Sequence, residues 1–403
     1  MNTKLQKAQS ITRSPSILVR FTLALTAAIL VVSSGCAAVA TDTKTPAAAS
    51  TTSVETNQGT PSSADFHDSH FHLTNYIQQG ISIEDYLAIM GERVGRSTLF
   101  GIPLQQTWSY QNSGDYAPTY YLHTDAPLYY YSFTDAYIAR LYEKLTPEQQ
   151  ARFDPMITGF NPADLYAVDH IRRVLTLFPG VFSGIGEFSI HKEFVSSKIA
   201  GNVASLTNPA LDRIFDFCAE TGLVAILHND IDMPFAKPDT EPVYLTQTKD
   251  LLRRHSKATI IWAHLGLGRV VHPTRSTASA GSTQRSPSYT QIFEEMLTDP
   301  SLSHIYFDIS WDEVAKYVVA TPESLQRTAD FLNRFPERFL FGTDNVAPKN
   351  QEAHFKVFEM YAPLWAKLTP EANEKIRKTN YVRLFDNARQ KVRAWEKKNV
   401  KGD

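Results

Sequence analysis

The sequence predicts an α/β protein built on one (β/α)8 barrel, and three observations lead to that fold class. Apolar, β-prone runs alternate with segments of helical period after residue 64, which is the pattern of repeated βα units. Roughly 335 residues follow that point, enough for a single large barrel with insertions. Several of the apolar runs end on a histidine or a carboxylate, and parallel sheets carry their functional side chains at the carboxyl ends of strands.

Ahead of the barrel, residues 1–36 predict an export signal. Basic residues precede an uninterrupted apolar run at 21–32, which is too short to span a bilayer comfortably and is followed by small residues. The basic residues are Lys4, Lys7, Arg13 and Arg20.

The residues after the apolar run are compatible with two processing outcomes. The segment Ser33-Ser-Gly-Cys36 is typical of a bacterial lipobox, although Ser33 stands where an aliphatic residue is usual, and residues 38–40 are typical of an ordinary signal-peptidase site. We expect lipidation of Cys36, because it follows the apolar run directly. Residues 37–64, mostly Ala, Thr, Ser and Pro, cannot bury a core and predict a flexible tether. The expected location is the periplasm or cell envelope of a bacterium, with the membrane contacted only through the lipid anchor.

The barrel domain is expected to span residues 65–403, with eight strands in chain order. Its first strand, 65–73, is followed by a helix at 82–94 whose Ser82-Ile-Glu-Asp85 opening has capping character. The remaining strands are expected at 97–104, 156–160, 181–187, 223–228, 258–264, 304–309 and 338–344. Further helices are expected at 135–153, 162–177, 209–221 and 246–255, in a segment ending near Phe335, and in a helical carboxyl-terminal tail at 351–397.

Two long loops leave the carboxyl ends of strands two and six. The first, 105–133, is rich in aromatic residues, which either wall a substrate pocket or pack the loop onto the barrel as a small core of its own. The second, 266–288, is rich in Ser, Thr, Gly and Arg, which is typical of a mobile lid or a disordered segment. Trp108 and Tyr110 of the first loop are candidate substrate contacts. Its other aromatic residues are Tyr116, Tyr120, Tyr121, Tyr129, Tyr130 and Tyr131.

The strongest functional signal is the pair His70 and His72, because residues two apart on a strand point to the same face. Two imidazoles on one face can share a metal ion. At the carboxyl ends of barrel strands, further ligands would meet this pair at one mouth of the barrel. Four more potential ligands end apolar runs along the chain, namely Glu187, His228, His264 and Asp344.

With these residues in place, the chain resembles the amidohydrolase superfamily of metal-dependent TIM-barrel enzymes over roughly residues 65 to 390. Trp262-Ala-His-Leu-Gly266 and Asn380-Tyr-Val-Arg-Leu-Phe385 look like the amidohydrolase-related branch that includes aminocarboxymuconate-semialdehyde decarboxylase. The segment Gly184-Ile-Gly-Glu187 looks more like phosphotriesterases and TatD-like hydrolases.

The resemblance also implies a ligand arrangement. In much of the superfamily the bridging position holds a carboxylated lysine, in other members a glutamate, and in the decarboxylase branch no such ligand exists. If Glu187 faces inward, two metal ions become feasible. The implied first ion is held by His70, His72 and Asp344, the second by His228 and His264, and Glu187 bridges the two.

Imidazoles and carboxylates suit a divalent metal, for which we expect one or two zinc ions, with manganese as the alternative. Such an ion lowers the pKa of a bound water and polarises a scissile carbonyl or phosphoryl oxygen. Asp344 would accept the proton of that water and pass it to the leaving group, so Asp344 and the ligand His264 are the candidate catalytic residues. The structural alternatives are a turn carboxylate for Asp344, a salt-bridged carboxylate for Glu187, and buried core histidines for His228 and His264.

Residues next to the ligands have alternative roles. Asn229 and Asp230 follow His228 and either contact substrate, orient that histidine or form a turn, and Asp308 at the end of strand seven has similar alternatives. His191 and Lys192, shortly after Glu187, either reach a substrate anion or lie in a solvated loop.

We expect a metal-dependent hydrolase of an amide, ester, lactone or phosphoester bond in a small molecule. One alternative is a lyase that decarboxylates an aromatic or muconate-like acid with a single metal ion, and another is a non-catalytic binding lipoprotein. Two ions bridged by Glu187 favour hydrolysis, whereas one ion with Glu187 turned away favours the lyase. The net charge of −2 and the lack of a basic stretch interleaved with aromatics argue against a nucleic-acid partner.

Overall fold

The computed structural model describes residues 63–74, 80–101, 106–107, 133–193, 195–197, 205–234, 236, 240–268 and 289–401. Several predictions fall outside these residues and stay predictions. They concern the export signal, Cys36, the tether, Trp108, Tyr110 and the other aromatic residues of the first long loop, and most of the second long loop.

The strands of the described residues form one large parallel sheet and two small sheets. They are β1 (Phe66–Asp68), β2 (Phe71–His72), β3 (Val94–Leu99), β4 (Gln106–Thr107), β5 (Phe153–Ile157), β6 (Gly184–Ser189), β7 (His191–Lys192), β8 (Val195–Ser197), β9 (Val224–His228), β10 (Thr259–Trp262), β11 (Ile305–Asp308), β12 (Phe339–Leu340) and β13 (Asn345–Val346). The large sheet has the order β1, β3, β5, β6, β9, β10, β11, β12, and each strand is parallel to its neighbours. β4, β8 and β7 form a small antiparallel sheet.

The large sheet closes into a barrel where its first and last strands meet. β13 pairs in parallel with β2, which continues the chain beyond β1. The Ser69 N–H donates to the Phe341 carbonyl (3.1 Å), and the Asp344 N–H donates to the His70 carbonyl (2.8 Å). The predicted (β/α)8 TIM barrel is therefore confirmed.

Helices connect the strands and cover the outside of the barrel. They are α1 (Ile83–Met90), α2 (Phe133–Tyr142), α3 (Pro147–Gln150), α4 (Ala167–Leu177), α5 (Pro209–Thr221), α6 (Leu245–Arg254), α7 (Tyr289–Thr298), α8 (Asp312–Val318), α9 (Pro322–Arg334), α10 (Gln351–Met360), α11 (Ala362–Trp365), α12 (Pro370–Glu374) and α13 (Asn380–Asn399). The ends of α5 follow from local chemistry, because the Asn208 side chain accepts the Ala210 N–H and Pro209 suits the first turn. Gly222 ends the helix in the left-handed conformation, with φ 83°. Cys218 is buried on this helix.

Apolar side chains fill the inside of the barrel beneath the functional end. Val224 and Ile226 of β9 belong to this inner core, and His228 follows them at the same alternation, so it also points inward. Tyr381 and Phe385 of α13 belong to the same core. The Tyr381 hydroxyl donates to Asp154 near the start of β5 (2.8 Å), so α13 covers the amino-terminal end of the barrel.

Predicted bounds differ from the structure where tertiary pairing or a cap intervenes. The strands predicted to begin at 97 and 156 begin at Val94 and Phe153, because Val94 pairs with β1 and Phe153 pairs with β3. The helix predicted at 135–153 is divided into α2 and α3, because Thr146 caps a new helix. The predicted tail contains α10 to α13 and a π-helical turn at Lys375–Thr379. Within the described part of the chain, no helix has both the length and the apolar character needed to cross a membrane.

Candidate metal centre

The side chains predicted as metal ligands meet at the carboxyl end of the barrel. Ligand atoms of the first group all lie within 4.8 Å of one another, and the same holds for a second group that shares one carboxylate with the first. The first group is His70, His72, Glu187 and Asp344, and the second is Glu187, His228 and His264. The structure therefore brings all six together, from β2, β6 and β9 and from the turns after β1, β10 and β12.

The histidine-to-carboxylate distances in the first group are near those of a zinc site. Asp344 Oδ1 lies 3.3 Å from His70 Nε2 and 3.2 Å from His72 Nε2. Glu187 Oε2 lies 3.7 Å from His70 Nε2 and 3.4 Å from His72 Nε2. Zinc bonds of about 2.0–2.1 Å arranged tetrahedrally require ligand atoms about 3.3 Å apart. The two imidazoles and two carboxylates thus surround a point at which one ion fits.

Glu187 divides its two oxygens between the histidine pairs. Oε2 faces His70 and His72, whereas Oε1 lies 3.3 Å from His264 Nε2 and contacts His228 Nδ1. One carboxylate placed in this way can bridge two cations, one at each pair. Glu187 therefore faces inward, as the two-metal arrangement requires.

A β-bulge in β6 aims Glu187 into the barrel. Ile185 pairs with Ala225 and Phe188 with Leu227, so that two residues of β6 lie opposite one residue of β9. Gly186 is required inside this bulge, because it has φ 107° and a Cβ there would lie 2.3 Å from the Ile226 carbonyl oxygen. Strict alternation of side chains along β6 does not predict that Glu187 points into the barrel.

Two of the ligands have left-handed backbone conformations, with φ 56° at His264 and φ 53° at Asp344. Such a conformation costs a residue other than glycine of order 1 kcal/mol or more. The His264 N–H donates to Asp308 Oδ1 and the Asp344 N–H donates to the His70 carbonyl, both at 2.8 Å. These bonds hold each ligand in the turn that presents it to the centre.

Each of the four histidine rings has a second contact, on the ring nitrogen that does not face Glu187 or Asp344. Asp308 Oδ2 lies 3.0 Å from His70 Nδ1, and the Gly101 carbonyl accepts from His72 Nδ1 at 3.1 Å. In His70 and His72 such contacts fix the tautomer and leave Nε2 with a lone pair for a metal. The other two contacts join His264 Nδ1 to Ser310 Oγ at 2.8 Å and His228 Nε2 to Asp230 Oδ1 at 3.1 Å.

Asp308→Asn is expected to weaken zinc binding about 10- to 100-fold. The asparagine amide would donate to His70 Nδ1, so the imidazole would carry its proton on Nε2, where the metal lone pair is needed. Competition with a chromophoric zinc chelator measures the affinity. Asp312→Asn, at the exposed start of α8, is the matched control, and equal zinc affinity in both variants would rule out this role for Asp308.

The electrostatic environment keeps the two ligand carboxylates ionised. Burial would raise the pKa of Glu187, but Lys192 and His228 outweigh burial and hold that pKa well below its usual range. The pKa of Asp344 is also below its usual value, because His70 and His264 outweigh the effect of burial. Ionised carboxylates are the form that binds a cation.

A buried nitrogen without a hydrogen bond also indicates that these side chains bind a divalent metal. His70 Nε2 is fully buried and makes no hydrogen bond, although two carboxylate oxygens lie within 3.7 Å of it. A buried polar atom without a hydrogen bond is costly in a protein interior. A cation bound by this nitrogen and the adjacent carboxylates would satisfy it, and imidazole with carboxylate is a donor set that zinc accepts.

The remaining candidate residues lie next to the ligands and have the following contacts. Asp230 contacts His228 and also accepts the Glu193 N–H (2.5 Å), which fits an orienting residue. Asn229 is fully buried and donates to Thr248 Oγ1 (3.2 Å), which fits a turn former better than a substrate contact. The ring of His191 stacks on Tyr244, with centroids 3.8 Å apart.

Two residues left undecided by the sequence lie against the centre. Asp308 ends β11 in the same way as His228 ends β9, and this shared placement is the signal that could have identified it. Lys192 is only 6% exposed, so the solvated-loop interpretation of this residue is wrong. Its ammonium lies 3.8 Å from Glu187 Oε1.

Comparisons with known proteins relate the chain to amidohydrolases. Residues 67–386 match the amidohydrolase family model. No curated protein sequence matches the chain. The structure is similar to a 4-oxalomesaconate hydratase from Rhodopseudomonas palustris (TM-score 0.47, 14% identity, 82% of this chain and 99% of that one). It is also similar to a putative 2-pyrone-4,6-dicarboxylic acid hydrolase from Pseudomonas putida (TM-score 0.46, 12% identity, 80% and 98%). A third similar structure is an amidohydrolase from Burkholderia multivorans with bound zinc (TM-score 0.46, 12% identity, 80% and 99%).

Proposed function

Because the chain belongs to the amidohydrolase family, whose members are metal-dependent enzymes, we propose that it is a hydrolase with two divalent ions bridged by Glu187. Its substrate would be a small molecule with an amide, ester, lactone or phosphoester bond. The observation that carries this proposal is the division of the Glu187 oxygens between His70 and His72 on one side and His228 and His264 on the other.

The buried charges around the four histidines can accommodate one divalent ion or two. Four carboxylates face the ring nitrogens, and one ammonium, that of Lys192, accompanies them. Together these groups have a net charge of −3. One divalent ion would bring the net charge to −1, and two divalent ions would bring it to +1. Buried charges require compensation, and the two-ion state leaves room for an anion, as hydrolysis needs. The carboxylates are Glu187, Asp230, Asp308 and Asp344.

When bound, the metal would supply an activated water near neutral pH and polarise the scissile oxygen. Asp344 would accept the proton of that water and deliver it to the leaving group. Its left-handed turn and the hydrogen bond from its N–H to His70 fix the carboxylate beside the histidines. The side chains of His70 and His264 are completely buried, so bulk water does not reach them.

Glu187→Gln is expected to reduce the metal content from two ions per chain to one. A neutral amide offers a single acceptor oxygen and cannot bridge, whereas Asp344, His70 and His72 would still hold the first ion. Metal analysis of the purified, zinc-saturated protein gives the stoichiometry. Glu220→Gln, on the outer surface of α5, is the matched control and should retain two ions. A wild-type content of one ion, unchanged by Glu187→Gln, would contradict the bridge.

The competing function is a single-metal lyase that decarboxylates an aromatic or muconate-like acid. One observation favours it, because His70, His72 and Asp344 lie close enough together to hold one ion without the second histidine pair. Under this alternative the Lys192 ammonium would neutralise Glu187 in place of a second cation. Metal stoichiometry, followed by a search for released carbon dioxide, distinguishes the lyase from the hydrolase.

A further inference from the structure

We propose that His354 of α10 is a positioning residue for the first metal ion, acting through its neighbours Asn345 and Asp68. These neighbours lie beside the ligands Asp344 and His70, respectively. The inference rests on the proposed function only because it assumes an ion at the first ligand group. It applies to the hydrolase and to the single-metal lyase alike, since that group holds an ion in both.

His354 is a polar residue in an apolar place. Its side chain is 0% exposed, and the rings of Phe66, Phe71 and Tyr86 lie around it at centroid distances of 6.4, 5.7 and 5.6 Å. The other buried residues of α10 are apolar. Burial and the nearby Arg93 lower the pKa of His354 to about 3, so the ring is neutral. An apolar side chain would serve packing better here, so the imidazole must have another role.

The first contact of the ring is with Asn345, the residue after Asp344. Asn345 Nδ2 donates to the His354 carbonyl oxygen at 2.8 Å and lies 3.1 Å from the ring nitrogen Nδ1. An amide nitrogen can only donate, so Nδ1 accepts and the proton of the neutral ring is on Nε2. Asn345 also pairs with Phe71, which separates the two histidines of the first ligand group. The ring therefore anchors β13, which follows Asp344 directly, to α10.

The second contact of the ring is with Asp68. His354 Nε2 is fully buried and makes no hydrogen bond to any described residue, and Asp68 Oδ2 lies 3.7 Å from it. At this distance the N–H and the carboxylate attract each other without forming a hydrogen bond. Asp68 accepts the N–H of His70 at 3.1 Å and the N–H of Thr343 at 2.9 Å. The partial positive charge of the imidazole N–H thus stabilises the carboxylate that fixes the two ligand-bearing segments.

Both contacts serve only one of the two histidine pairs. His70 and Asp344 belong to the first ligand group, whereas His228 and His264 come from β9 and from the turn after β10. Loss of the ring should therefore weaken the binding of the first ion and leave the second pair intact. A general loss of packing would not distinguish between the two ions.

The test measures zinc affinity in the Glu187→Gln background, which is expected to retain only the first ion. There His354→Leu removes both polar edges of the ring at similar size, and we expect the affinity for this ion to fall about 10- to 100-fold. His354→Asn carries an oxygen that can accept from Asn345 in place of Nδ1, so it should restore part of the loss. In the protein with Glu187 intact, His354→Leu should weaken one zinc ion and spare the other. Competition with a chromophoric chelator gives each affinity.

Asn345→Ala tests the same contact from its half-buried side, where the substitution disturbs the core less. It should weaken the same ion, and its combination with His354→Leu should add little, because both changes remove one interaction. Full additivity of the two losses would overturn the proposed contact.

Val357→Ala is the matched control, because Val357 is buried on the same helix and has no polar group. It should lower the free energy of unfolding in urea and leave the zinc affinity unchanged. Equal zinc affinity in His354→Leu and its parent would overturn the proposal, and so would an equal loss of affinity in Val357→Ala. A wild type that binds no zinc would instead contradict the proposed function itself.

Discussion

Asp344→Asn is expected to lower kcat/KM about 10²- to 10⁴-fold against whichever ester, lactone or phosphoester the wild type hydrolyses. The carboxylate would accept the proton of the attacking water, and an amide of the same size cannot do so. Asp344 Oδ1 also lies 3.3 Å from His70 Nε2, so the variant replaces a charged ligand by a neutral one. Both effects act on the same step and in the same direction.

The variant is expected to fold, because asparagine tolerates the left-handed φ of 53° at this position better than most residues do. The backbone hydrogen bond to the His70 carbonyl does not depend on the side chain. Activity against the substrate panel should be measured together with metal content, so that loss of the proton acceptor is separated from loss of the ion. Asp312→Asn on the surface of α8 should match the wild type. Retained turnover by Asp344→Asn with full metal content would remove Asp344 as the proton acceptor.

The positions of the candidate ligands could be predicted because the barrel imposes a simple rule. Short apolar runs become buried strands, and the polar residue that ends each run emerges at the carboxyl mouth. His228 and Asp308 follow this rule directly, since each is the last residue of its strand. Helix caps could also be predicted from local sequence. The predicted cap at Ser82 is confirmed, because its side chain accepts the Asp85 N–H.

The rest depends on contacts between residues far apart in the chain. The expectation that His70 and His72 share one face of a continuous strand is wrong in detail, because the strand is interrupted at Ser69 and His70. The interruption arises where Asp68 accepts the N–H groups of His70 and Thr343, which joins the first and last strands of the barrel. No local pattern encodes a partner about 275 residues away, because side-chain alternation fixes a strand's register only once its neighbour is known.

At the opposite end of the barrel, a buried ionic network joins α13 to the strands. Asp154 of β5 is fully buried and pairs with Arg96 of β3 at 2.9 Å and with Arg389 of α13 at 2.6 Å. The Tyr381 hydroxyl donates to the same carboxylate. The network therefore depends on one carboxylate that satisfies two guanidinium groups and a phenol.

Asp154→Asn is expected to destabilise the protein by about 3–5 kcal/mol, the usual cost of removing one partner from a buried ion pair. Arg96, which is 1% exposed, would keep only the half-exposed Asp386 as a counter-ion. Urea unfolding at fixed zinc concentration measures the loss, since metal binding itself shifts apparent stability.

The wild-type network should also respond to acid in a defined direction. Burial would raise the pKa of Asp154, but Arg389 and Arg96 outweigh burial and hold this pKa below its usual value. The folded protein then binds this proton more weakly than the unfolded chain does. The stabilisation is present at pH values above the unfolded pKa of about 3.9 and is lost as the pH falls through the folded pKa.

Asp169→Asn provides the matched control for the unfolding experiment. Asp169 pairs with Arg172 on α4 in an exposed (i, i+3) contact, and such a pair contributes about 0.2–1 kcal/mol at most. The two substitutions remove the same charge, so the difference between them reports the burial of Asp154 and not the change in net charge. A loss below about 1 kcal/mol in Asp154→Asn would show that α13 is held by the apolar contacts of Tyr381 and Phe385 and not by the ionic network.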